Sequence, residues 1–222
     1  PVEEVPGFRI PAANLAGRDS WRTALGLIHD VLGSREAARW GERFADSPMA
    51  LHTALEMLAS GADCTKVESF GRTMCAIAEI IQVECAPPVA RSCGLGRVAG
   101  EVRNIDAGSL PPKELRTDAL LGGILSEVFR RCRERRSAAD TAAWALTSLV
   151  RGIGYRTARV AHDHGRSVVV AGGGGLAEPW VRHVLRRTLE EEGLDVFLSR
   201  NMPCGDAGIA LGQVWSVVAR ES

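Results

Sequence analysis

The stretch VVVAGGGGLAEPWVRHVLRRTLEEEGLDVFLSRNMPCGDAGIALGQ, residues 168–213, decides the fold that the sequence predicts. A β-branched run, SVVVAGG (167–173), is typical of a strand that is buried on both faces. An amphipathic helix pattern follows over 178–193. A second strand signal, LDVFLSR (194–200), leads to a closing helix pattern over 205–220.

This order of strand, helix, strand and helix predicts where a ligand binds. Two strands joined by a helix form a right-handed crossover and lie parallel. In such units ligands bind beyond the carboxyl ends of the strands. The turns GGGG (172–175) and GDAG (205–208) follow those ends, so we expect both to face one crevice. The candidate ligand-binding glycines are Gly172, Gly173, Gly174 and Gly205.

Asp206 stands where the closing helix begins, and two interpretations of it remain open. Aspartate is a preferred N-cap, and its charge suits the positive end of the helix dipole. In the second interpretation, the small neighbours Ala207 and Gly208 let a metal or phosphate approach, and the carboxylate is aimed at it. On this stretch alone the cap is favoured, because caps are common.

Composition and charge narrow the class of protein. The 222 residues are 45% hydrophobic and 24% charged, as in ordinary soluble globular proteins. The formal net charge is zero, so neither nucleic acid nor an anionic membrane is expected as a partner. No apolar run has the length needed to cross a bilayer.

The six cysteines favour reduced thiols in the cytoplasm. No pair has the C-x-x-C spacing of a zinc ribbon or a thioredoxin motif. The chain is not short and shows no signal-peptide pattern, so a disulfide framework is not expected. It begins at Pro1 rather than at methionine, which leaves open that it is a piece of something longer.

The chain divides into three parts. Residues 1–18 form a lead-in with one short strand, 19–165 a mainly helical part, and 166–222 the strand–helix unit. Residues 84–113 are rich in proline and glycine and predict a connector with at most a short strand around 102–105. Apolar periodicity in the middle part predicts helices over 19–32, 35–44, 47–61, 68–83, 115–135 and 141–165.

These residues together resemble a known family. Residues 168–213 look like the end of HypF, the carbamoyltransferase of nickel–iron hydrogenase maturation, which reads V-x-S-G-G-V-x-x-N, helix, strand and P-x-N-D-G-G-I-A-L-G-Q. FRIPAANLAGRDSWRTALGLIHDVLG (8–33) is similar to the family's F-R-P-x-P-L-P-G-G-D stretch and the helix after it. LEMLASGADCTKVESFGRTMCAIAEII (55–81) resembles its L-x-x-G-x-N-x-P-x-T-S-S-x-G-R-x-F-D-A segment.

The resemblance implies an α/β fold, the second lobe of an actin-like ATPase (ribonuclease H-like) fold with a large helical insertion and a terminal β-α-β-α unit. It implies a nucleotide-facing lobe that binds ATP or carbamoyl-adenylate with a divalent metal. The carbamoyl group would pass to a cysteine thiol on an acceptor protein. In the family, Asp206 matches a metal-binding aspartate, and Gly172 and Gly173 match a turn beside the nucleotide.

The sequence also departs from the family. The aspartate after G-R-x-F is Cys75, the nucleotide-contacting asparagine is Ala177, and ECAPP (84–88) keeps only Glu84 of a glutamate–glycine–glutamine–alanine–alanine stretch. The family's first lobe supplies a metal-binding H-H-x-H-A segment, which would lie elsewhere in the full protein or on a second chain. None of the chain's histidines stands in that context: His29, His52, His162, His164 and His183.

Two functional hypotheses therefore stand. In the first, the chain is the nucleotide-facing lobe of a HypF-like carbamoyltransferase, which the retained GDAGIALGQ (205–213) favours. In the second, the lobe has lost catalysis and serves as a binding or scaffold module, which Cys75 and Ala177 favour. A sugar-kinase-like protein of the same fold is a distant third.

For four further features of the sequence, a structural role is favoured over a functional one. Cys75, one turn after Arg72, is favoured as a small core residue over a nucleophile. The HDH stretch (162–164) is expected to be a solvated helix end, because histidines at i and i+2 point to different faces. RRCRERR (130–136) is expected to be a solvated face, with an acidic partner as the alternative. The tryptophans expected to pack the core are Trp21, Trp40, Trp144, Trp180 and Trp215.

Overall fold

The computed structural model describes residues 7–16, 20–43, 45–81, 117–199 and 204–221. Over these ranges the chain is mostly helical, with two small sheets of two strands each. A short 3₁₀ turn spans Gly174–Ala177. The elements in chain order are β1 (Phe8–Pro11), α1 (Trp21–Leu32), α2 (Ser34–Gly41), α3 (Pro48–Ser60), β2 (Cys64–Val67), α4 (Phe70–Ile81), α5 (Thr117–Arg133), α6 (Ala138–Asp163), β3 (Val168–Ala171), α7 (Pro179–Glu191), β4 (Asp195–Leu198) and α8 (Asp206–Glu221).

The main hydrophobic core lies among the helices of the first two thirds of the chain. On α1, Leu25, Leu27 and Ile28 are fully buried, and Ile77 of α4 and Ile124 of α5 pack into the same cluster. Burial of one such side chain contributes about 1.5–3 kcal/mol. The helices predicted from apolar periodicity are therefore confirmed as the elements that build this core.

Helix α3 has the ends that its sequence predicts. The hydroxyl of Ser47 accepts a hydrogen bond from the backbone N–H of Ala50 at 3.2 Å, and Pro48 occupies the first turn. Gly61 follows the helix with φ of 75°, a left-handed conformation that suits glycine. Local chemistry alone fixes both ends of this helix.

One strand was missed by sequence analysis. β2 pairs antiparallel with β1 of the lead-in, with Phe8 opposite Val67 and Pro11 opposite Cys64. β2 has only four residues, and its two central ones, Thr65 and Lys66, are exposed. So short and polar a segment carries no strand signal of its own, and the pairing with β1 is what makes it a strand.

Two contacts join β1 to α1. A Cβ atom at Gly26 would lie 1.9 Å from the carbonyl oxygen of Arg9, so only glycine permits this close approach. The guanidinium of Arg9 donates to Asp30 Oδ1 at 2.6 Å, and its backbone N–H donates to Oδ2 at 2.8 Å. Burial raises the pKa of Asp30, but hydrogen bonds from Arg9 and His29 outweigh it, so the net pKa is lowered.

The strand–helix unit at the end of the chain has the predicted topology. β3 and β4 pair in parallel, with Val168 opposite Asp195 and Ala171 opposite Leu198. The inner face of this sheet packs against Ala158 of α6 and Leu189 of α7. The right order of elements was thus predicted from residues 168–213.

The expectation that β3 is buried on both faces is wrong. Its outer face carries Val168 and Val170, which are 48% and 79% exposed, beside Phe197 of β4 at 61%. In the part of the chain that the structure describes, helices cover only one face of this sheet. A continuous run of valines therefore stands half open to solvent.

The tryptophan expectation is also wrong at one position. Trp21, Trp40 and Trp144 are buried in the core, and Trp180 packs against it. Trp215 on α8 is 72% exposed. Other large apolar side chains of α8 are also exposed. Apolar periodicity therefore predicted the helix correctly, but it did not predict that this apolar face is exposed in the described part of the chain.

The predicted connector over 84–113, with its short strand around 102–105, lies outside the described residues. Among the described helices, none combines the length and the apolar character that a membrane span requires.

Candidate functional site

The two glycine-rich turns that follow β3 and β4 lie against each other. The backbone N–H of Gly173 donates to the carbonyl oxygen of Cys204 at 2.7 Å. A Cβ atom at Gly205 would come within 3.4 Å of the Cα of Gly174. The turns therefore share one edge of the parallel sheet, as the order of elements predicted.

The glycine residues of the first turn are placed at the surface. Gly172, Gly173 and Gly174 are exposed, and Gly173 has a φ of 123°, which favours glycine. A Cβ atom at Gly172 or Gly174 would meet nothing within 4 Å. The backbone of this turn is thus open to a ligand from the solvent side.

Beneath the turn lies a cavity of about 740 Å³. The turn 172–175 forms its mouth, and apolar side chains of α6 and α7 form much of its interior, including Ile153 and Leu185. Leu189, which is fully buried, lies at its floor. Pockets of about 300–1,000 Å³ with mainly apolar walls are typical of small-molecule sites.

Phe70, the first residue of α4, packs on the turn from the other side of the cavity. A Cβ atom at Gly175 would lie 2.7 Å from Cδ1 of its ring. Position 175 therefore has room only for glycine while the ring keeps its place. This contact brings the start of α4, with the S-x-G-R segment, to the same cavity as the end of β3.

Few polar side chains line the cavity. Among the described residues these are Glu68 and Ser69 before α4, Thr157 on α6 and Glu178 before α7. The carboxylate of Glu68 pairs with Lys66 at 2.6 Å, and the hydroxyl of Thr157 donates to the carbonyl of Ile153 at 2.9 Å. The described lining contains no lysine, arginine or histidine side chain.

The metal-binding prediction for Asp206 is not decided. Asp206 is the first residue of α8 and directly follows Gly205, which contacts Gly174, and its side chain lies outside what the structure describes. Both the cap and the metal interpretation therefore stay predictions. No three metal-binding side chains come together elsewhere in the described part of the chain.

Three histidines on separate helices have local partners. His29 contacts Asp30 at 2.9 Å, His52 contacts Glu56 at 3.3 Å, and His162 contacts the carbonyl oxygen of Glu192 at 3.1 Å. The HDH stretch at the end of α6 is exposed, as expected. These positions are spread over α1, α3 and α6 and form no common site.

The positions at which the sequence departs from the family lie on different elements. Ala177 ends the 3₁₀ turn and is exposed, and Cys75 is half-buried on α4. Glu84 lies outside the described residues. At position 177 the chain offers a ligand only a methyl group and its backbone.

Two of the described thiols, Cys64 and Cys132, are in surroundings that disfavour the thiolate. The four cysteines in the described ranges form no disulfide with one another. Burial raises the pKa of both Cys64 and Cys132, against a smaller opposing effect of Arg9 and Arg43 respectively. A raised pKa lowers the fraction of thiolate at neutral pH and disfavours nucleophilic chemistry at either residue.

The basic run 130–136 is only partly the solvated face that was expected. Arg130 pairs with Glu127 at 2.7 Å and also with Glu134. Arg131 is buried, with its guanidinium 4.9 Å from the ring centroid of Trp144. Internal ion pairs and one cation–π contact thus use part of the charge that an acidic partner would need.

Sequence analysis missed Phe70, Glu68 and Glu178 as residues of the cavity. All three reach it through tertiary packing of α4 and α7 against α6 and the 3₁₀ turn, which no local pattern encodes. For Glu178 a weak signal exists, since it stands three residues after Gly175, the last glycine of the turn. Phe70 lies within the segment that resembles the family, yet the resemblance singles out its neighbours.

The comparison with known families agrees with this architecture. The family described as "Carbamoyltransferase, Kae1-like Domain, second subdomain" matches residues 2–213. Since the match covers almost the whole chain, the chain belongs to this family. The resemblance to HypF stated from the sequence is confirmed.

Two relatives from Cupriavidus necator extend this result. The chain is 29% identical to a "Carbamoyltransferase HypF homolog", over 96% of the chain and 55% of that protein. It is 26% identical to "Carbamoyltransferase HypF2", over 99% of the chain and 29% of that protein. The chain therefore spans about half of one relative and less than a third of the other.

Solved structures show the same fold. A crystal structure of HypF from T. kodakarensis matches with a TM-score of 0.80 at 21% identity, over 96% of this chain and 29% of the other. Full-length HypF in the phosphate- and nucleotide-bound form matches with a TM-score of 0.77 at 20% identity, over 96% of this chain and 28% of the other. At this identity the likeness shows the fold alone.

We predict that Gly175→Ala destabilises the chain, because the new methyl group must displace the ring of Phe70. Overpacking of this kind costs about 1–3 kcal/mol. Gly172→Ala is the matched control, since a Cβ atom there meets nothing within 4 Å. Chemical denaturation with both variants measures the difference.

Adding Phe70→Leu to Gly175→Ala should remove much of the penalty, because the smaller side chain vacates the contact. Equal stabilities of the Gly175→Ala and Gly172→Ala variants would show that the ring does not pack on the turn.

Proposed function

We propose that this chain is the nucleotide-facing lobe of a HypF-like carbamoyltransferase that acts in nickel–iron hydrogenase maturation. The observation that carries the proposal is the contact of the two glycine-rich turns above a cavity of about 740 Å³. In this lobe, ATP or carbamoyl-adenylate would bind at that edge. The family membership supports a carbamoyltransferase domain, and the cavity supplies the place for its ligand.

The fold proposal goes one step further than the likeness to HypF. We propose that the chain is the second lobe of an actin-like ATPase (ribonuclease H-like) fold, in which α1 to α6 form a helical insertion. The parallel pair of β3 and β4 would then be part of a larger sheet. The sheet has only two strands in the described part of the chain, and the second edge of each strand is where further strands could pair, which supports this assignment.

The nucleotide fits the cavity by size and by chemistry. The exposed backbone of 172–174 permits close approach of a ligand at the mouth, and the apolar side chains of α6 and α7 suit a flat aromatic base. Asp206, at the start of α8 and beside the same edge, would hold a divalent metal that neutralises phosphate charge. That role fits a carboxylate ligand and rests on its position in the chain.

The partner that we propose is a histidine-bearing lobe, in the same protein or in a second chain. An apolar surface is available for it: Val168, Val170 and Phe197 on the outer face of the sheet are all largely exposed. Contiguous exposed apolar residues of this kind mark interfaces. That lobe would add histidines to the metal site, and the acceptor of the carbamoyl group would be a cysteine-bearing protein.

The alternative is a catalytically inactive HypF-like scaffold or binding module. It is favoured by Ala177, whose side chain has no polar atom, and by Cys75 in place of a carboxylate. Under this alternative the chain keeps the apolar surface and its partner but not the nucleotide. The two functions differ in one measurable property, which is nucleotide affinity.

We expect the chain, together with a separately produced lobe that carries the H-H-x-H-A segment, to bind ATP in the presence of Mg²⁺. Isothermal titration calorimetry measures this binding. Asp206→Ala should abolish the metal-dependent part, because the metal then lacks a carboxylate ligand. Asp195→Ala should leave it intact, since Asp195 is an exposed aspartate at the opposite end of the same sheet.

An unchanged affinity in the Asp206→Ala variant would remove this residue from the site. No detectable binding of ATP by the wild-type pair of lobes would contradict the nucleotide-facing function and support the scaffold alternative.

We predict that Phe197→Glu weakens association with the histidine-bearing lobe by roughly tenfold to a hundredfold, because burial of a Phe side chain contributes about 1.5–3 kcal/mol. The fold of the chain itself should not change, since Phe197 is 61% exposed in it. Met49→Glu is the matched control, at an apolar residue of α3 that is 74% exposed. Analytical ultracentrifugation of the mixed lobes measures the effect, and equal weakening by both variants would argue against this interface.

A further inference from the structure

Glu178 occupies an unusual position at the start of α7. It is the N-cap residue of this 13-residue helix, yet its side chain accepts no hydrogen bond from the helix. Instead it lines the cavity and is half-buried there. Within the described part of the chain, its carboxylate makes neither a hydrogen bond nor an ion pair. Capping and charge pairing therefore do not explain why it faces the cavity.

The rest of the lining restricts what Glu178 can bind. Glu68 is a second carboxylate of the cavity, and the described lining has no cationic side chain. A phosphate group inside would meet the carboxylate of Glu178 and no cationic side chain of the described lining, which is unfavourable away from water. A neutral group that donates hydrogen bonds is favoured there, because an ionised carboxylate is an acceptor only.

The lining of the cavity also combines polar and apolar surfaces. Its mouth is the exposed backbone of 172–174, and its floor includes the fully buried Leu189. Glu178 directly follows the 3₁₀ turn Gly174–Ala177. A ligand with an anionic part, a hydroxylated part and an apolar planar part matches these three kinds of surface, and a nucleotide has those parts.

We propose that Glu178 is a ligand-contacting residue that accepts hydrogen bonds from the ribose hydroxyls of the bound nucleotide. The inference rests on the proposed function, since it requires that a nucleotide occupies this cavity. Glu178 then selects ribose over deoxyribose, while the phosphates stay at the mouth beside 172–174. Acidic side chains recognise ribose hydroxyls in the same way in dinucleotide-binding folds.

The test is a comparison of ATP with 2′-deoxy-ATP and 3′-deoxy-ATP, each with Mg²⁺, by calorimetry on the same pair of lobes. The wild-type chain should bind ATP on the order of tenfold more tightly than at least one deoxy analogue, because hydrogen bonds to charged groups are the strong ones. Glu178→Gln should weaken ATP binding and reduce that preference, because a neutral amide oxygen is a weaker acceptor, and Glu178→Ala should abolish it. Glu178→Ala provides a second variant, and circular dichroism checks that both are folded.

Glu190→Gln is the matched control, because it removes the same charge from an exposed position at the far end of α7. It should leave both the affinity and the preference for ribose unchanged. A preference that persists in folded Glu178→Gln and Glu178→Ala, or a wild-type chain that binds all three nucleotides equally, would overturn the role of Glu178 and leave the proposed function standing. No binding of ATP by the wild-type protein would overturn both.

Discussion

The parallel pairing of β3 with β4 is the constraint on which the candidate site depends. Because the two strands run in the same direction, the turns that follow them meet at one edge, where Gly173 donates to the carbonyl of Cys204. Glycine permits this contact: Gly173 has a positive φ, and Gly205 and Gly174 approach each other without side chains between them. The cavity beneath the turn exists because α6 and α7 cover the inner face of this pair. Register, turns and cavity are thus consequences of one pairing.

The same pairing explains why the chain has an open apolar surface. A parallel strand buries both faces when helices cover both of them. Here one face packs on helices and the other exposes Val170 and Phe197. This face is the surface on which the proposed histidine-bearing lobe would pack. The exposed apolar residues of α8, such as Trp215, have the same character.

Much of this could be predicted from the sequence, for reasons that differ between regions. The glycine-rich turns and the order of elements predicted the shared edge, since parallel topology follows from the crossover rule. The caps of α3 were readable because Ser47, Pro48 and Gly61 act locally. β2 was not, because its pairing with β1 comes from distant residues. Phe70 and Glu178 were missed because tertiary packing brings them to the cavity. The run of valines in β3 does not indicate which face of the strand is exposed, because all of its residues are apolar. The metal role of Asp206 stays a prediction.

Hydrogen–deuterium exchange of the chain with the proposed histidine-bearing lobe, with and without saturating ATP and Mg²⁺, tests most directly whether the two turns form one nucleotide-facing edge. Amide exchange reports local opening of the backbone, and a bound ligand slows it where it contacts or orders the chain. The expected result is slower exchange in 172–178 and 204–208 together, with little change at the distant β1–β2 sheet. Bound ATP that leaves both turns unprotected, or that protects only one of them, would contradict the account.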